Sequence, residues 1–65
     1  MRHELIDVRH AIRLGRRELR DFNRLVDLRC PQEALPHLEG ALGHFGEALG
    51  QYRVKLKELE DDTSE

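Results

Sequence analysis

Four histidines and one cysteine are the residues of this sequence best suited to metal binding or nucleophilic chemistry. The histidines pair as His3 with His10 and His37 with His44. Each pair spans two helical turns, or about 10.5 Å along the axis, which is too far for two imidazoles to share one ion. Cys30 follows Arg29 but has no neighbouring histidine, so it lacks the combined basic and histidine surroundings that would mark a nucleophile. The sequence therefore predicts no metal site, no cofactor and no catalytic residue, and we expect a protein that is not an enzyme.

Arginine and glycine indicate a different chemistry, the binding of an anionic partner. Residues 1–29 hold eight arginines against five acidic residues, whereas residues 30–65 hold three basic against eight acidic residues. On a helix the arginines form one stripe, and three glycines of the second half fall in a narrow arc beside it. Bare backbone beside arginines predicts a shallow basic trough for an acidic protein segment or a phosphate backbone. The predicted binding residues are Arg9, Arg13, Arg16, Arg20, Gly43, Gly46 and Gly50.

The alternative is that the arginines are a solvated face that pairs with acids such as Asp21 and Asp27. The glycines would then be tolerated or used for close packing. Gly40 lies outside the arc, and the sequence assigns it no role.

The elements that position these residues follow from the apolar spacing. Apolar or small residues recur at alternating intervals of three and four from Leu5 to Val26 and again from Leu35 to Leu59, as in the heptad seams of helices. Between them, Pro31 favours a turn followed by the first position of a new helix. The fold class is all-α, an antiparallel two-helix hairpin that resembles a coiled coil. We expect one domain over residues 1–60, with helix 1 at about 2–29, a turn at about 30–32, helix 2 at about 33–60, and an acidic frayed tail at 61–65.

Antiparallel pairing of the two seams places the large apolar residues of one helix opposite those of the other. In this register Gly15 lies opposite Phe45, so we expect the glycine to make room for the aromatic ring. One flank of the seam then carries alanines and leucines that a lone hairpin would leave in water. A second hairpin could cover this flank in a dimeric four-helix bundle, or a helical partner protein could do so. The predicted oligomer interface is Ala11, Leu14, Leu25, Ala34, Ala41 and Ala48.

The size of the chain supports the need for a partner. At 65 residues, a single hydrophobic core is marginal without a staple, a metal or a partner chain. One cysteine cannot form an internal disulfide, and no apolar run is long enough for a membrane span or a signal peptide. We therefore expect a soluble, cytoplasmic protein that does not bind membranes.

Three resemblances concern the layout of the chain. The segment EALPHLEGAL, residues 33–42, is similar to the second helix of a tetratricopeptide repeat, including its proline, although the repeat period of about 34 residues is missing. In length, hairpin layout and acidic tail, the chain resembles plasmid copy-number regulators, whose four-helix dimers bind RNA. Its two amphipathic helices and proline-containing turn also resemble the small co-chaperones of type III secretion needle subunits. None of the three supports assignment to a family.

These observations favour a small non-catalytic protein–protein interaction or adaptor module, acting as a homodimer or with a helical partner. The alternative is an RNA- or DNA-binding regulatory hairpin that uses the arginine stripe of helix 1. A further alternative is a small secretion co-chaperone.

Overall fold

The computed structural model describes residues 5–63, and the side chains of residues 5–60. Two helices account for almost all of this range: α1 spans Ile6–Asp27 and α2 spans Pro31–Thr63. They pack against each other as an antiparallel hairpin. Its Cα atoms occupy 55 × 16 × 11 Å, so the hairpin is a single layer of two helices, and each helix has sides that no other described residue covers. The predicted all-α hairpin is confirmed for the described residues.

The end of α1 is set by hydrogen bonds that close its last turn. The backbone N–H of Arg29 donates to the carbonyl of Val26 at 3.0 Å, and that of Cys30 donates to Leu25 at 2.8 Å. This pair of bonds is the Schellman motif, which requires a left-handed residue after the helix. Arg29 supplies it with a φ of 63°. Because glycine usually occupies such a position, the turn is formed here by a residue that is strained in it.

The start of α2 follows from the proline in the turn. Pro31 is the first residue of the helix, where its missing N–H leaves no bond unmade, and Glu33 lies in the first turn, where the helix dipole favours a carboxylate. The Cys30 carbonyl accepts the first helical hydrogen bond from Ala34 at 3.0 Å. The helix also continues through Pro36, although that residue cannot donate a backbone hydrogen bond.

The helix bounds differ from the predicted ones by a few residues. The last residue of α1 is Asp27 rather than residue 29, because Arg29 is left-handed. The first residue of α2 is Pro31, two residues before the predicted start, and its last is Thr63, within the segment for which fraying is predicted. Residues 1–4, which include His3 and the predicted start of helix 1, lie outside the described residues, as do residues 64 and 65.

The most deeply buried positions of the contact between the helices are held mainly by small residues. The buried residues of α1 are Val8, Ala11 and Gly15. Those of α2 are Ala34, Ala41 and Ala48, which are exposed by 4% or less. Small residues at successive turns let two helix backbones approach closely, because little side-chain volume separates them. The expectation that the leucines of the two seams face each other is therefore wrong in part, since both helices are rotated to turn their small residues inward.

One layer of the predicted register is nevertheless present. A Cβ atom built on Gly15 would lie 2.6 Å from Cε1 of Phe45, closer than real Cβ contacts occur. The ring therefore packs directly over the α1 backbone, and the predicted pairing of this glycine with Phe45 is confirmed. Among the described residues, no helix is both long and apolar enough to cross a lipid bilayer.

Replacing the left-handed arginine tests the turn. We expect Arg29→Gly to raise the free energy of unfolding by about 0.5–1 kcal/mol, because glycine adopts positive φ without steric cost. Leu28→Gly is the control: Leu28 has an ordinary φ of −82°, so glycine there adds only chain entropy and should destabilise the protein. Urea unfolding followed by circular dichroism measures both. A loss of stability in Arg29→Gly would contradict the assigned role of the turn.

The glycine beneath the phenylalanine ring gives a second test. Gly15→Leu should lower the free energy of unfolding by about 1–3 kcal/mol, since the new side chain occupies the volume of the ring. The same substitution at Gly43, where a Cβ atom meets nothing within 4 Å, should instead be stabilising through its helix propensity. Thermal melts of the two variants compare them directly. A higher melting temperature for Gly15→Leu would show that the ring does not depend on the glycine.

Candidate functional site

A row of big apolar side chains is exposed along one side of the hairpin. Each of its members is between 37% and 64% exposed. On both helices these side chains lie next to the small residues of the interhelical contact. The row on α1 and the row on α2 therefore form one continuous surface. We call this surface the apolar stripe, and it consists of Ile12, Leu19 and Val26 of α1 with Leu35, Leu42 and Leu49 of α2.

The stripe is concave near the open end of the hairpin. A shallow depression of about 430 Å³ lies between the helices there, and almost all of its lining surface is apolar. Its floor includes buried Val8 and Ala48, while Ile12, Leu49 and Tyr52 stand at its sides. A depression of this kind accepts an apolar side chain from another molecule.

The residues predicted for the oligomer interface lie elsewhere. Ala11, Ala34, Ala41 and Ala48 are buried against the other helix of the same chain, so the expectation that a lone hairpin leaves this flank in water is wrong. Leu14 and Leu25 are half-buried beside them. The physical reason is that alanine lets the backbones approach, which displaces the larger leucines outward. The exposed apolar surface available to a partner is the apolar stripe.

The predicted arginines are brought together on the outer side of α1. Arg9, Arg13, Arg16 and Arg20 are exposed and line one groove of about 760 Å³, which Arg17 also lines. Neither Asp21 nor Asp27 forms an ion pair with them among the described residues. We call this surface the arginine groove. It borders the apolar stripe at Ile12, which belongs to both.

The predicted glycines do not line the arginine groove, whose lining comes from α1 alone. Gly43, Gly46 and Gly50 are exposed on α2, and a Cβ atom on any of them would meet nothing within 4 Å. Within one chain the structure therefore does not bring the arginines and glycines into a common trough. Whether the arginines bind an anionic partner stays a prediction.

Gly40 has a local explanation that the sequence did not supply. A Cβ atom there would lie 2.7 Å from a carboxylate oxygen of Glu18, so glycine leaves room for that side chain between the helices. The same carboxylate oxygen lies 3.4 Å from Nδ1 of His37. Glu18, Asp21 and His37 each have one potential ligand atom within 4.8 Å of those of the other two. The sequence signals for this cluster are a carboxylate pair three residues apart and a helix-interior glycine opposite it.

Comparison with known proteins finds no matching family model, no matching curated protein and no matching solved structure. The candidate functional surfaces of the hairpin are the apolar stripe, the arginine groove and the cluster at Glu18.

Charge reversal in the arginine groove tests anion binding. If the groove binds an acidic segment or a nucleic acid, Arg13→Glu with Arg16→Glu should abolish that binding without changing helicity, because both side chains are exposed. The control is Arg53→Glu, an exposed arginine of α2 that does not line the groove. Filter binding and fluorescence anisotropy against RNA, duplex DNA and an acidic peptide at low salt measure the effect. Equal binding by the wild type and the double variant would leave the arginines as a solvated face.

Substituting leucine for a glycine of α2 distinguishes the arginine groove from the predicted trough. Because the groove is lined by α1 alone, Gly46→Leu should leave binding unchanged if one chain carries the site. Loss of binding in this variant would show that the glycine surface takes part, as the trough hypothesis requires.

Proposed function

We propose that this chain is a small non-catalytic interaction module that works as a homodimer, with two hairpins joined through their apolar stripes into a four-helix bundle. The observation that carries this proposal is the position of the large apolar side chains. They lie outside the contact between α1 and α2 and along one side of the hairpin, as the core residues of half a bundle do. Soluble monomers rarely expose a continuous apolar surface of this length.

A second copy of the chain would complete the burial that the hairpin lacks. Alanine and glycine at the interhelical contact remove little apolar area from water, so the hairpin gains little free energy from them. Burying the exposed part of a half-exposed leucine or isoleucine contributes on the order of 1 kcal/mol. Twelve such side chains, six from each stripe, meet in the proposed dimer, which makes this the largest favourable contribution available to a chain of 65 residues.

The charges of the two helices favour one arrangement of the copies. The α1 half of the chain has an excess of three positive charges, and the α2 half an excess of five negative charges. Two α1 helices placed side by side would repel, whereas α1 beside the partner's α2 brings opposite charges together. This complementarity supports a second copy as the occupant of the stripe and predicts that each α1 has an α2 on both sides.

Binding of RNA or DNA is the second candidate function. The specific observation in its favour is the arginine groove, in which five arginines line one surface of α1. A bundle formed through the apolar stripe leaves this outer surface accessible, so the two functions are compatible. Binding to nucleic acid would weaken with salt by a slope of about −0.9 per duplex phosphate contact, whereas an acidic protein segment would show a much shallower dependence.

A charge in the apolar stripe tests the dimer. Leu42 is 64% exposed, so Leu42→Glu should leave the helices of one chain intact while placing a carboxylate in the centre of the proposed interface. We expect at least a hundredfold weaker dimerisation in sedimentation equilibrium. Val54→Glu is the matched control, since Val54 is comparably exposed at 57% but lies outside the stripe.

Two results would contradict the homodimer. One is a wild-type chain that sediments as a folded monomer across the micromolar range, which would leave a different helical protein as the occupant of the stripe. The other is an equal effect of Leu42→Glu and Val54→Glu, which would place the interface elsewhere.

A further inference from the structure

We propose that Glu18, Asp21 and His37 form a binding site for a divalent transition-metal ion, with Zn²⁺ as the ion that fits them best. The three side chains come from both helices, two from α1 and one from α2, and their ligand atoms lie within 4.8 Å of one another. All three are half-buried. The site lies on the side of the hairpin away from the apolar stripe and is independent of the proposed dimer.

The distances in the cluster suit coordination of one ion. Nδ1 of His37 and a carboxylate oxygen of Glu18 are 3.4 Å apart. Two ligand atoms bound tetrahedrally to Zn²⁺ at about 2.0–2.1 Å are separated by roughly 3.3–3.4 Å. Glu18 and Asp21, three residues apart on one helix, lie on the same face of α1, and a ligand atom of Asp21 lies within 4.8 Å of those of Glu18 and His37.

His37 carries an unused nitrogen at this point. Its Nδ1 atom is almost inaccessible to solvent and has no hydrogen-bond partner among the described residues, although it lies near the Glu18 carboxylate. A buried nitrogen without a partner is costly, and coordination of a metal ion would satisfy it. Because this nitrogen comes from α2 and not from the carboxylate pair of α1, the cluster differs from a surface group of acidic residues.

Gly40 provides the space that the first ligand occupies. A Cβ atom at this position would lie 2.7 Å from a carboxylate oxygen of Glu18, so the Glu18 side chain would have to shift from its present place. A glycine inside a helix costs about 0.8–1 kcal/mol relative to alanine. The cluster accounts for this glycine, which neither the apolar stripe nor the arginine groove explains.

The ligand types select the class of ion. An imidazole with two carboxylates suits Zn²⁺ and its first-row neighbours better than Mg²⁺ or Ca²⁺, which prefer oxygen ligands throughout. Three protein ligands leave one tetrahedral position for water. Because the ligands join α1 to α2, the bound ion acts as a cross-link in a chain that has no disulfide.

Titration with zinc chloride tests the site. Isothermal titration calorimetry should show one Zn²⁺ per chain, and Glu18→Gln, Asp21→Asn and His37→Gln should each weaken binding by more than about tenfold. His44→Gln is the matched control, because His44 is also a half-buried histidine of α2 but lies outside the cluster. Gly40→Ala should weaken binding as well, although it favours the helix.

A second measurement reports the fold and the coordination. Saturation at about 100 times the dissociation constant should increase the folded-to-unfolded ratio roughly a hundredfold in thermal or urea unfolding of the wild type, and not of His37→Gln. Cobalt(II) in place of zinc should give the visible absorption of a four-coordinate ion. Circular dichroism of each variant shows whether the helices are retained.

The proposal is overturned if the wild type binds no zinc, or if His37→Gln binds it as tightly as His44→Gln does. Its failure is distinguishable from failure of the dimer, because all three ligands belong to one chain. The variant Leu42→Glu should therefore keep the zinc affinity of the wild type even where it sediments as a monomer. A zinc affinity lost together with dimerisation in that variant would also overturn a site held by one chain.

Discussion

The close approach of α1 and α2 through alanine and glycine is the constraint on which the rest of this structure depends. Ala34, Ala41 and Ala48 face the other helix, and none of the buried residues in the part of the chain that the structure describes is a leucine. Larger apolar residues are therefore displaced to one side of the contact, and polar ones to the other. The apolar stripe and the cluster at Glu18 are consequences of the same packing on opposite sides of one hairpin.

A single layer of two helices cannot cover both of these sides. Its Cα atoms span 11 Å in the thinnest direction, so within residues 5–63 no third element shields the apolar stripe from water. Interior packing in most domains gains its stability from large buried side chains, and here the fully buried ones are small. We therefore expect the stability of the folded chain to depend on the molecule that covers the apolar stripe. On the other side of the hairpin, it should depend on the group that binds Nδ1 of His37.

The helices, the turn and the Gly15–Phe45 contact could be predicted from the sequence because each rests on a local or strongly constrained signal. The apolar spacing defines each helix and its apolar side, and Pro31 defines the start of α2. The pairing of Gly15 with Phe45 follows because a large ring packs best opposite a residue without a side chain. The rotation of the helices could not be predicted in the same way. Ile12 and Ala11 are adjacent in sequence, and both lie on the apolar side of α1. Which of the two faces α2 depends on the distance between the helices, and the spacing of apolar residues in the sequence does not determine that distance.

The cluster at Glu18 was missed for a related reason. Pairs of possible ligands within one helix can be found from their spacing, but His37 reaches Glu18 across the hairpin. Finding that contact requires the register and the rotation together. Gly40 was the available signal, since an unexplained glycine within a helix indicates that another group occupies the place of its side chain.

The other glycines of α2 lead to a different conclusion, because a Cβ atom on Gly43, Gly46 or Gly50 would have no packing neighbour within 4 Å among the described residues. Their cost to the helix, about 0.8–1 kcal/mol each, is therefore not compensated by packing within one hairpin.

In the proposed bundle, each α2 has the partner's α1 as its second neighbour. By helical periodicity, Gly46 lies next to the row of Leu35, Leu42 and Leu49, on the side that this neighbour approaches. The arginine groove borders the apolar stripe on α1 in the same way. A surface made of arginine and bare backbone, which one chain does not form, would thus arise between two chains, and the dimer would be a precondition of the trough.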